Sequence, residues 1–470
     1  MSGVICPGCA QRDALIEVLQ RRIDDLEGKV NDLEARLGSN ASNSSLPPSA
    51  NPPAAPKPVV RTPTGRTSGA QKGHKGHQRV RLPRQRVQHI IPLVPTHCDA
   101  CQAPLPQQPS PADPAPTWHQ VAELPKVSAV VTEFQGHART CPDCGHVTRE
   151  SIPAAIRAHA FGERLSAVLS YLSGSQYVSQ RGLEDVAEVV FGVPLSLGSV
   201  GALQEQMSAA LAPAHEQIAQ EVRPAATKNV DETGWKQAGS KRWLWAALTS
   251  TAALFVIHLK RGALGLKALL GETVQGLVCS DRWSAYHIIP VARRQLCWAH
   301  LKRDFQAMVD RGGAALAIGE ELLAYTGMLF GLWYKVRDGT RSRRWLKRQI
   351  DEWLRAEVVS LLQQGAACGC AKTAGVCREV LKLEPALWTF ARQEGVEPTN
   401  NVAERALRPA VLKRKRSFGS HSEAGCRFVE RLFSVTATLR VRQRPILDYL
   451  VEALAAHRHG LPAPALPAVS

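Results

Sequence analysis

The feature that most constrains the fold is a change of character at residues 227–298 of this 470-residue chain. Three short β-prone runs come first, with turn-forming Gly239 and Ser240 between two of them, and they predict a three-stranded antiparallel meander. These runs are Lys228–Asp231, Arg242–Leu248 and Leu254–Leu259. A helical stretch, Ala263–Leu270, then leads to two more strand-like runs, Gly276–Ser280 and Gln295–Trp298. The pattern indicates an α/β fold class, and residues 300–395 and those after Pro398 are predicted to be mostly helical.

Acidic residues stand at the ends of two of these strands and on a later helix. Asp231 ends the first strand, Asp281 follows Gly276–Ser280, and Glu404 lies in a helical segment. Phosphoryl transfer between DNA strands needs hard cations beside the attacking and leaving oxygens, and Mg²⁺ or Mn²⁺ prefers carboxylate ligands. Each acid alone is most often a cap or turn residue, but together they predict a catalytic two-metal site. His300 is a candidate to support that site, with a capping or core role as its alternative.

The chain carries a formal net charge of +17 and a pI near 9.6, which points to a polyanionic partner. Nucleic acid and an anionic membrane surface both qualify. The longest uncharged apolar run, Leu322–Tyr334, is shorter than the roughly 20 residues that span a bilayer. The N-terminus lacks the pattern of a secretory signal. We therefore expect a cytoplasmic, nucleoid-associated protein that binds double-stranded DNA and no membrane.

Two basic segments are candidates for contact with the DNA backbone. The alternative for both is a solvated surface without a partner. One segment follows Glu404 and contains Arg405, Arg408, Lys413, Arg414, Lys415 and Arg416. The other is an arm near the N-terminus, where the candidates are Lys72, Lys75, Arg79 and Arg81.

Two CxxC pairs predict a structural zinc site. The ligands would be Cys98, Cys101, Cys141 and Cys144. Four thiolates complete a tetrahedral Zn²⁺ shell and leave no open position for catalysis. The β-prone run Val127–Phe134 between the pairs suits a zinc ribbon, whereas cysteines buried in a core are the alternative. The role of a third pair, Cys6 and Cys9, stays open.

Two helical features come before the strands. A heptad places Ile16, Ile23, Val30 and Leu37 on one position and Leu19, Leu26 and Leu33 on the other. This pattern favours a parallel two-stranded coil and hence a homodimer or higher oligomer, although a helix packed on its own protein is the alternative. Residues 161–222 contain short helices around Gly192-Val193-Pro194, so they form a candidate helix-turn-helix that reads DNA, or an ordinary helical hairpin.

At these residues the chain resembles bacterial insertion-sequence transposases of the IS66 family. The resemblance covers nearly the whole chain in order. Its motifs are the heptad, Asn43-Ser44-Ser45, the Gly- and His-containing run from Gly69 to His77, both CxxC pairs, Val230 to Thr233, Ser280-Asp281, Cys297 to His300, and Asn400 to Gly419. It implies a ribonuclease-H-like catalytic core, a DDE triad of Asp231, Asp281 and Glu404, and accessory proteins encoded by the same element.

These observations predict a multidomain α/β protein with seven segments. They are 1–38, a CxxC pair and coiled coil; 39–90, a flexible linker and basic arm; 91–150, a zinc-binding domain; 151–222, a helical domain; 223–300 with 396–420, the catalytic core; 301–395, a helical insertion; and 421–470, a C-terminal helical region. The predicted function is metal-dependent cleavage at insertion-sequence ends and strand transfer. Two alternatives stay open: a non-catalytic zinc-dependent DNA-binding regulator, and a nuclease of the resolvase type that cuts without joining.

Overall fold

The structure is a computed structural model that describes residues 12, 15–23, 26, 37, 39–40, 43–44, 80–108, 110–125 and 127–468. The chain divides into two compact units. One unit is Pro56–Ala129, and the other combines Met1–Ala55 with Val130–Ser470.

Seven strands and fourteen α-helices lie within the described ranges that follow residue 80. The strands are β1 (Ala138–Thr140), β2 (Val147–Arg149), β3 (Thr227–Gln237), β4 (Ser240–Leu248), β5 (Ala253–His258), β6 (Leu277–Ser280) and β7 (Arg294–Leu296). The helices are α1 (Ala154–Arg157), α2 (Glu163–Ser175), α3 (Gln180–Phe191), α4 (Leu197–Val222), α5 (Ala263–Leu270), α6 (Trp298–Arg311), α7 (Leu316–Arg337), α8 (Arg343–Gln349), α9 (Arg355–Ala367), α10 (Ala371–Lys382), α11 (Thr389–Arg392), α12 (Asn401–Ser417), α13 (Glu423–Val441) and α14 (Ile446–Arg458).

A five-stranded mixed sheet forms the centre of the larger unit. Its order is β5-β4-β3-β6-β7, with antiparallel pairing from β5 to β3 and parallel pairing from β3 to β7. Ala238 and Gly239 join β3 to β4 with φ values of 45° and 79°. Two successive positive φ values match the twist of a tight hairpin, which explains the Gly at this turn. The predicted α/β class, the antiparallel meander and the helix Ala263–Leu270 are confirmed.

Helix α13 packs along the edge of strand β5 that has no neighbouring strand in the described part of the chain. Thr438 Oγ1 accepts a hydrogen bond from the backbone N–H of Ala253 at 3.0 Å, and Ser434 Oγ accepts one from Phe255 at 2.9 Å. Glu430 lies one turn earlier on α13 and accepts from the N–H of Ile257. Three side chains at a spacing of four residues thus satisfy alternate donors that an edge strand would otherwise expose. This contact fixes one side of the sheet that carries Asp231.

The helices between β7 and α12 build their own hydrophobic core. Trp298, Phe305, Leu329 and Trp388 are among its buried members. Within the described residues, one helical segment, Gly313–Arg337, is long and apolar enough to cross a membrane by length and composition alone. Its Leu322, Leu329 and Trp333 side chains pack into this core.

The β-prone run between the two CxxC pairs is not a strand, in contrast to the prediction. Val127–Phe134 forms no strand among the described residues, and Val130 and Val131 are exposed. The local hairpin is instead β1 with β2, which pair Ala138 with Arg149 on either side of Cys141 and Cys144. Propensity alone misplaced the strand, because a β-prone run becomes a strand only where it finds a pairing partner.

Residues 15–23 are helical, in agreement with the predicted N-terminal helix. Ile16, Leu19, Ile23 and Leu26 of the heptad are about half exposed. Val30 and Leu33 lie outside the described residues, as do Cys6 and Cys9.

Candidate active site

The sheet brings Asp231 and Asp281 to neighbouring positions. Strands β3 and β6 are parallel, and their last paired residues are Asn229 and Cys279. The same register continued by two residues sets Asp231 beside Asp281. Adjacent strands lie about 4.8 Å apart, so two carboxylates at matched positions share one region of space.

The electrostatics of Asp231 reflect this crowding. Burial raises the pKa of Asp231 well above its ordinary value, and the charges of Glu232, Asp281 and Glu404 raise it further. Each of these neighbours is an acid, so the ionised form of Asp231 is destabilised on several sides. A cation among the carboxylates would relieve the repulsion. Asp231 and Asp281 both keep part of their surface exposed, which leaves them accessible to a ligand.

Glu404 comes to the same region from the first turn of α12. Its Oε1 atom lies 3.3 Å from Arg303 Nη2 and 3.5 Å from His300 Nδ1. Burial lowers the pKa of His300, and Asp281 and Glu404 oppose that shift. The imidazole is therefore neutral at pH 7, and the charges of two of the three predicted acids act on it. The structure thus groups His300 with Asp281 and Glu404, and it adds Arg303, which the sequence did not single out.

Asn400 connects the helix of Glu404 to the strand of Asp231. Its buried side chain donates to the carbonyl of Val230 at 2.8 Å and accepts from Asn229 Nδ2 at 3.0 Å. Asn at a helix start usually caps its own helix, but this side chain makes no capping hydrogen bond. It fixes the first turn of α12 against β3, next to Asp231. The sequence could not show this role, because the partners are 170 and 171 residues away.

The acid beside Asp231 on the strand is bound on both of its oxygens. Arg261 Nε donates to Glu232 Oε1 at 2.9 Å, and the hydroxyl of Tyr286 donates to Oε2 at 2.7 Å. Glu232 is buried, whereas Asp231 retains exposed surface. Alternation along the strand therefore separates the two acids, and Asp231 is the one left accessible.

Cys297 forms a second small cluster with His300 and Glu404. Its sulfur and one ligand atom each of His300 and Glu404 all lie within 4.8 Å of one another, close enough to hold a metal ion. Burial raises the pKa of Cys297 to about 12, however, and its sulfur accepts the N–H of Asn400 at 3.1 Å. Metals bind thiolates rather than thiols, so the chemistry of this set favours a structural thiol.

The predicted basic run on α12 separates into two faces. Arg405, Arg408, Lys415 and Arg416 are exposed. A helix turns about 100° per residue, which places these four within one arc that borders Glu404. They form a basic face on the outside of α12.

Lys413 and Arg414 correct the prediction, because they point into the protein. The amine of Lys413 is buried and donates to the carbonyl of Ser173 at 2.8 Å. Arg414 donates to the carbonyl of Gly234 and to Thr233 Oγ1. The same 100° step turns these two side chains toward the protein interior, Lys413 to helix α2 and Arg414 to strand β3, away from Lys415 and Arg416.

The arm residues are only partly described. Lys72, Lys75 and Arg79 lie outside the described residues. Arg81 is exposed and its guanidinium lies 5.5 Å from the centroid of the Trp118 ring. Helix α4, the second helix of the candidate helix-turn-helix, contains no Lys or Arg along its 26 residues. It thus offers no cation for the DNA backbone, and the hairpin interpretation gains weight.

The two CxxC pairs form the same turn. The N–H of Cys98 donates to Ala103 and its carbonyl accepts from Gln102, and Cys141 pairs in the same way with His146 and Gly145. Gln102 and Gly145 both have positive φ. Backbone N–H groups of Cys101 and Ala100 lower the pKa of Cys98, as those of Cys144 and Asp143 lower the pKa of Cys141. Each turn by itself therefore favours a thiolate, the form that binds Zn²⁺.

Comparison with known proteins places this geometry in a family. The model of a family described as "Transposase IS66 family" matches residues 159–427, more than half of the chain. A family of unknown function matches residues 8–80. An uncharacterized protein, y4qI of Sinorhizobium fredii (strain NBRC 101917 / NGR234), is 26% identical over 249 residues, which are 48% of this chain and 45% of that protein. The chain thus spans less than half the length of this curated relative. Asp231, Asp281, His300 and Glu404 all fall within residues 159–427, and the chain belongs to the IS66 transposase family.

Proposed function

We propose that the protein is a DNA transposase that cleaves the ends of an insertion sequence and joins them to target DNA, with Asp231, Asp281 and Glu404 as its catalytic acids. The observation that carries this proposal is the convergence of the three acids. The charges of Asp281 and Glu404 both act on Asp231 although Glu404 is 173 positions away in the sequence. Family membership supports the same reaction.

The proposed architecture is a ribonuclease-H-like core with a helical insertion. Three antiparallel strands followed by two parallel ones, in the order β5-β4-β3-β6-β7, support it. The separate core of the helices between β7 and α12 supports the insertion. The predicted domain boundaries are retained with this architecture.

Two Mg²⁺ or Mn²⁺ ions are proposed as cofactors. When bound, they would supply the positive charge that a phosphoryl transfer needs at its attacking and leaving oxygens. The donor set fits them, because hard oxygen ligands with mutual repulsion are what these ions prefer. Asp231, Asp281 and Glu404 would hold the ions. Asn400 holds the helix of Glu404 on β3, Arg303 donates a hydrogen bond to the Glu404 carboxylate, and His300 lies beside that carboxylate as a proposed supporting residue.

The exposed basic face of α12 is proposed to hold DNA beside these acids. Arg405 and Arg408 follow Glu404 within about one turn, so a phosphate on this face would lie next to the catalytic carboxylates. Lys415 and Arg416 extend the face further along the backbone. Lys72, Lys75, Arg79 and Arg81 are retained as a proposed second contact on the N-terminal arm.

The remaining proposals concern assembly. Zn²⁺ would be held by Cys98, Cys101, Cys141 and Cys144, in keeping with the thiolate-favouring turn at each pair. The half-exposed heptad residues support a coiled coil that makes a homodimer or a higher oligomer, which a transposase needs to hold two DNA ends. A cytoplasmic, nucleoid-associated site and accessory proteins of the same element complete the proposal.

A strand-transfer assay on labelled element-end DNA tests this function. Purified full-length protein, with any accessory proteins of the element, would be compared as wild type, Asp231→Asn, Asp281→Asn and Glu404→Gln in Mg²⁺, Mn²⁺ and Ca²⁺. Each substitution removes one charge and keeps the side-chain volume. Glu320→Gln is the matched control, because Glu320 is an exposed acid on α7, away from the three.

We expect joined product from the wild type and the control in Mg²⁺ or Mn²⁺, and a loss of at least about a hundredfold in each of the three variants at equal DNA binding. If the wild type and all the variants bind DNA equally and none of them cleaves it, the result would favour the alternative function, a non-catalytic DNA-binding regulator. Cleavage without joined product would favour a nuclease of the resolvase type.

A further inference from the structure

Phe418 occupies the left-handed position that ends helix α12, where Gly is the usual residue. It follows directly after α12 with a φ of 58°, in the left-handed region that non-glycine residues rarely occupy. Phe418 is 76% exposed to solvent, so little hydrophobic burial offsets this unfavourable backbone. A bulky residue held in such a conformation needs a reason, and binding sites are where such residues concentrate.

The backbone on the C-terminal side of Phe418 is fixed by strand β3. Ser420 donates to the carbonyl of Lys236 at 2.9 Å and accepts from the N–H of Ala238 at 2.8 Å, while Trp235 Nε1 donates to Ser420 Oγ at 3.3 Å. Gly419 lies so close to Lys236 that a Cβ atom there would meet its carbonyl oxygen at 2.2 Å. The ring therefore projects from a rigid support rather than from a free loop.

A basic track joins Phe418 to the proposed catalytic acids. The exposed face of α12 runs from Arg405 and Arg408 through the half-exposed Leu412 to Lys415 and Arg416, two residues before Phe418. Fourteen residues separate Glu404 from Phe418, which corresponds to about 21 Å of helix. That length spans roughly six base steps of duplex at 3.4 Å each.

We propose that Phe418 is a wedge that enters the base stack of the element-end DNA, within about six steps of the phosphate that is cleaved. The inference rests on the proposed function. Exposed Arg and Lys would hold the backbone on the track, and an apolar ring at its end would separate two stacked bases, as apolar side chains do in DNA-bending proteins. A ring already held outward loses little freedom when it inserts, which is the advantage of the strained conformation.

The test uses full-length protein and duplexes of the element end with 2-aminopurine placed at each position in turn around the cleavage site. Ca²⁺ replaces Mg²⁺, so that binding is observed without cleavage. The fluorescence of this base rises when it is unstacked. The proteins are wild type, Phe418→Ala, Phe418→Gly and the control Tyr334→Ala, which removes a half-exposed aromatic ring from α7. Gly suits the left-handed backbone, so Phe418→Gly removes the ring without a cost in folding.

We expect one or two adjacent positions to brighten with the wild type and the control, and to stay dark with both Phe418 variants. A mismatch at the bright step should strengthen wild-type binding roughly tenfold and leave Phe418→Gly unaffected, because the mismatch removes the unstacking cost. Wild-type binding with no bright position, or an unchanged profile in Phe418→Gly, overturns the wedge.

Cleavage in Mg²⁺, measured separately, distinguishes the wedge from the proposed function. If one position brightens but the wild type does not cleave, the wedge is supported and the proposed transposase function is refuted. If the wild type cleaves but no position brightens, the function is supported and the wedge is refuted.

Discussion

Replacement of Asn400 by Ala tests how Glu404 is fixed next to Asp231. The variant removes the donor to the buried carbonyl of Val230 and the acceptor for Asn229 Nδ2. A buried carbonyl without its partner costs roughly 1–3 kcal/mol, and the second bond contributes about 1 kcal/mol. We therefore expect the free energy of unfolding of this region to fall by about 2–4 kcal/mol.

Native-state hydrogen exchange of the β3 amides measures this loss locally, which suits a chain with more than one hydrophobic core. Asn401→Ala is the matched control, because Asn401 is the next residue and a half-buried one at the start of α12. The control should exchange like the wild type, whereas Asn400→Ala should open β3 and the first turn of α12 together.

The same substitution should reduce strand cleavage by about a hundredfold while DNA binding persists, because a shift of about 1 Å in a catalytic group has that effect. Unchanged exchange at Val230 and unchanged cleavage in Asn400→Ala would refute the reasoning. Faster exchange with unchanged cleavage would mean that the Asn400 hydrogen bonds stabilise the fold but do not position Glu404.

Burial holds the pKa of Lys413 at about 8, below its ordinary 10.5, so the unfolded chain binds this proton more tightly and stability should rise with pH between these values. Lys413→Met should remove about 3 kcal/mol of that rise in denaturation curves, and the exposed Lys415→Met should not. Arg408→Ala should weaken DNA binding for every sequence and lower the salt dependence of log Kd by about one, whereas Lys413→Met should not. Purified protein should contain about one zinc per chain by elemental analysis, and Cys98→Ser or Cys141→Ser should release it; unchanged zinc in both variants would contradict the site.

Sequence pattern was sufficient to predict the meander because its apolar and aromatic runs are separated by turn residues. The three strands of the meander and helix Ala263–Leu270 agree with the structure. Val127–Phe134 shows the limit of the same reasoning, since a β-prone run has no strand where the chain gives it no partner. Local sequence reports what a segment prefers, and pairing depends on segments far away.

The candidate site shows the same difference between what local sequence indicates and what depends on distant segments. Residue type and position were sufficient to single out Asp231, Asp281 and Glu404 as candidate acids, whereas the contacts that hold them in place could not be predicted. Asn400 acts across about 170 residues, and Arg303 meets Glu404 across 101. Lys413 and Arg414 were misassigned because a run of four basic residues looks like one patch in sequence, although a helix turns them to different sides.

The long separation of Asp281 and Glu404 in sequence has a simple structural basis. The chain leaves the sheet at Cys297, whose N–H donates to the carbonyl of Ser280 at 2.9 Å, and it returns at Pro398, whose carbonyl accepts from the N–H of Trp298 at 2.9 Å. The backbone N–H of Asn400 then donates a hydrogen bond to the sulfur of Cys297. Both ends of the inserted helices are thus fastened at one point beside the acids. Because this point, and not the intervening helices, sets where α12 starts, a group of helices with its own core lies between Asp281 and Glu404 without displacing Glu404.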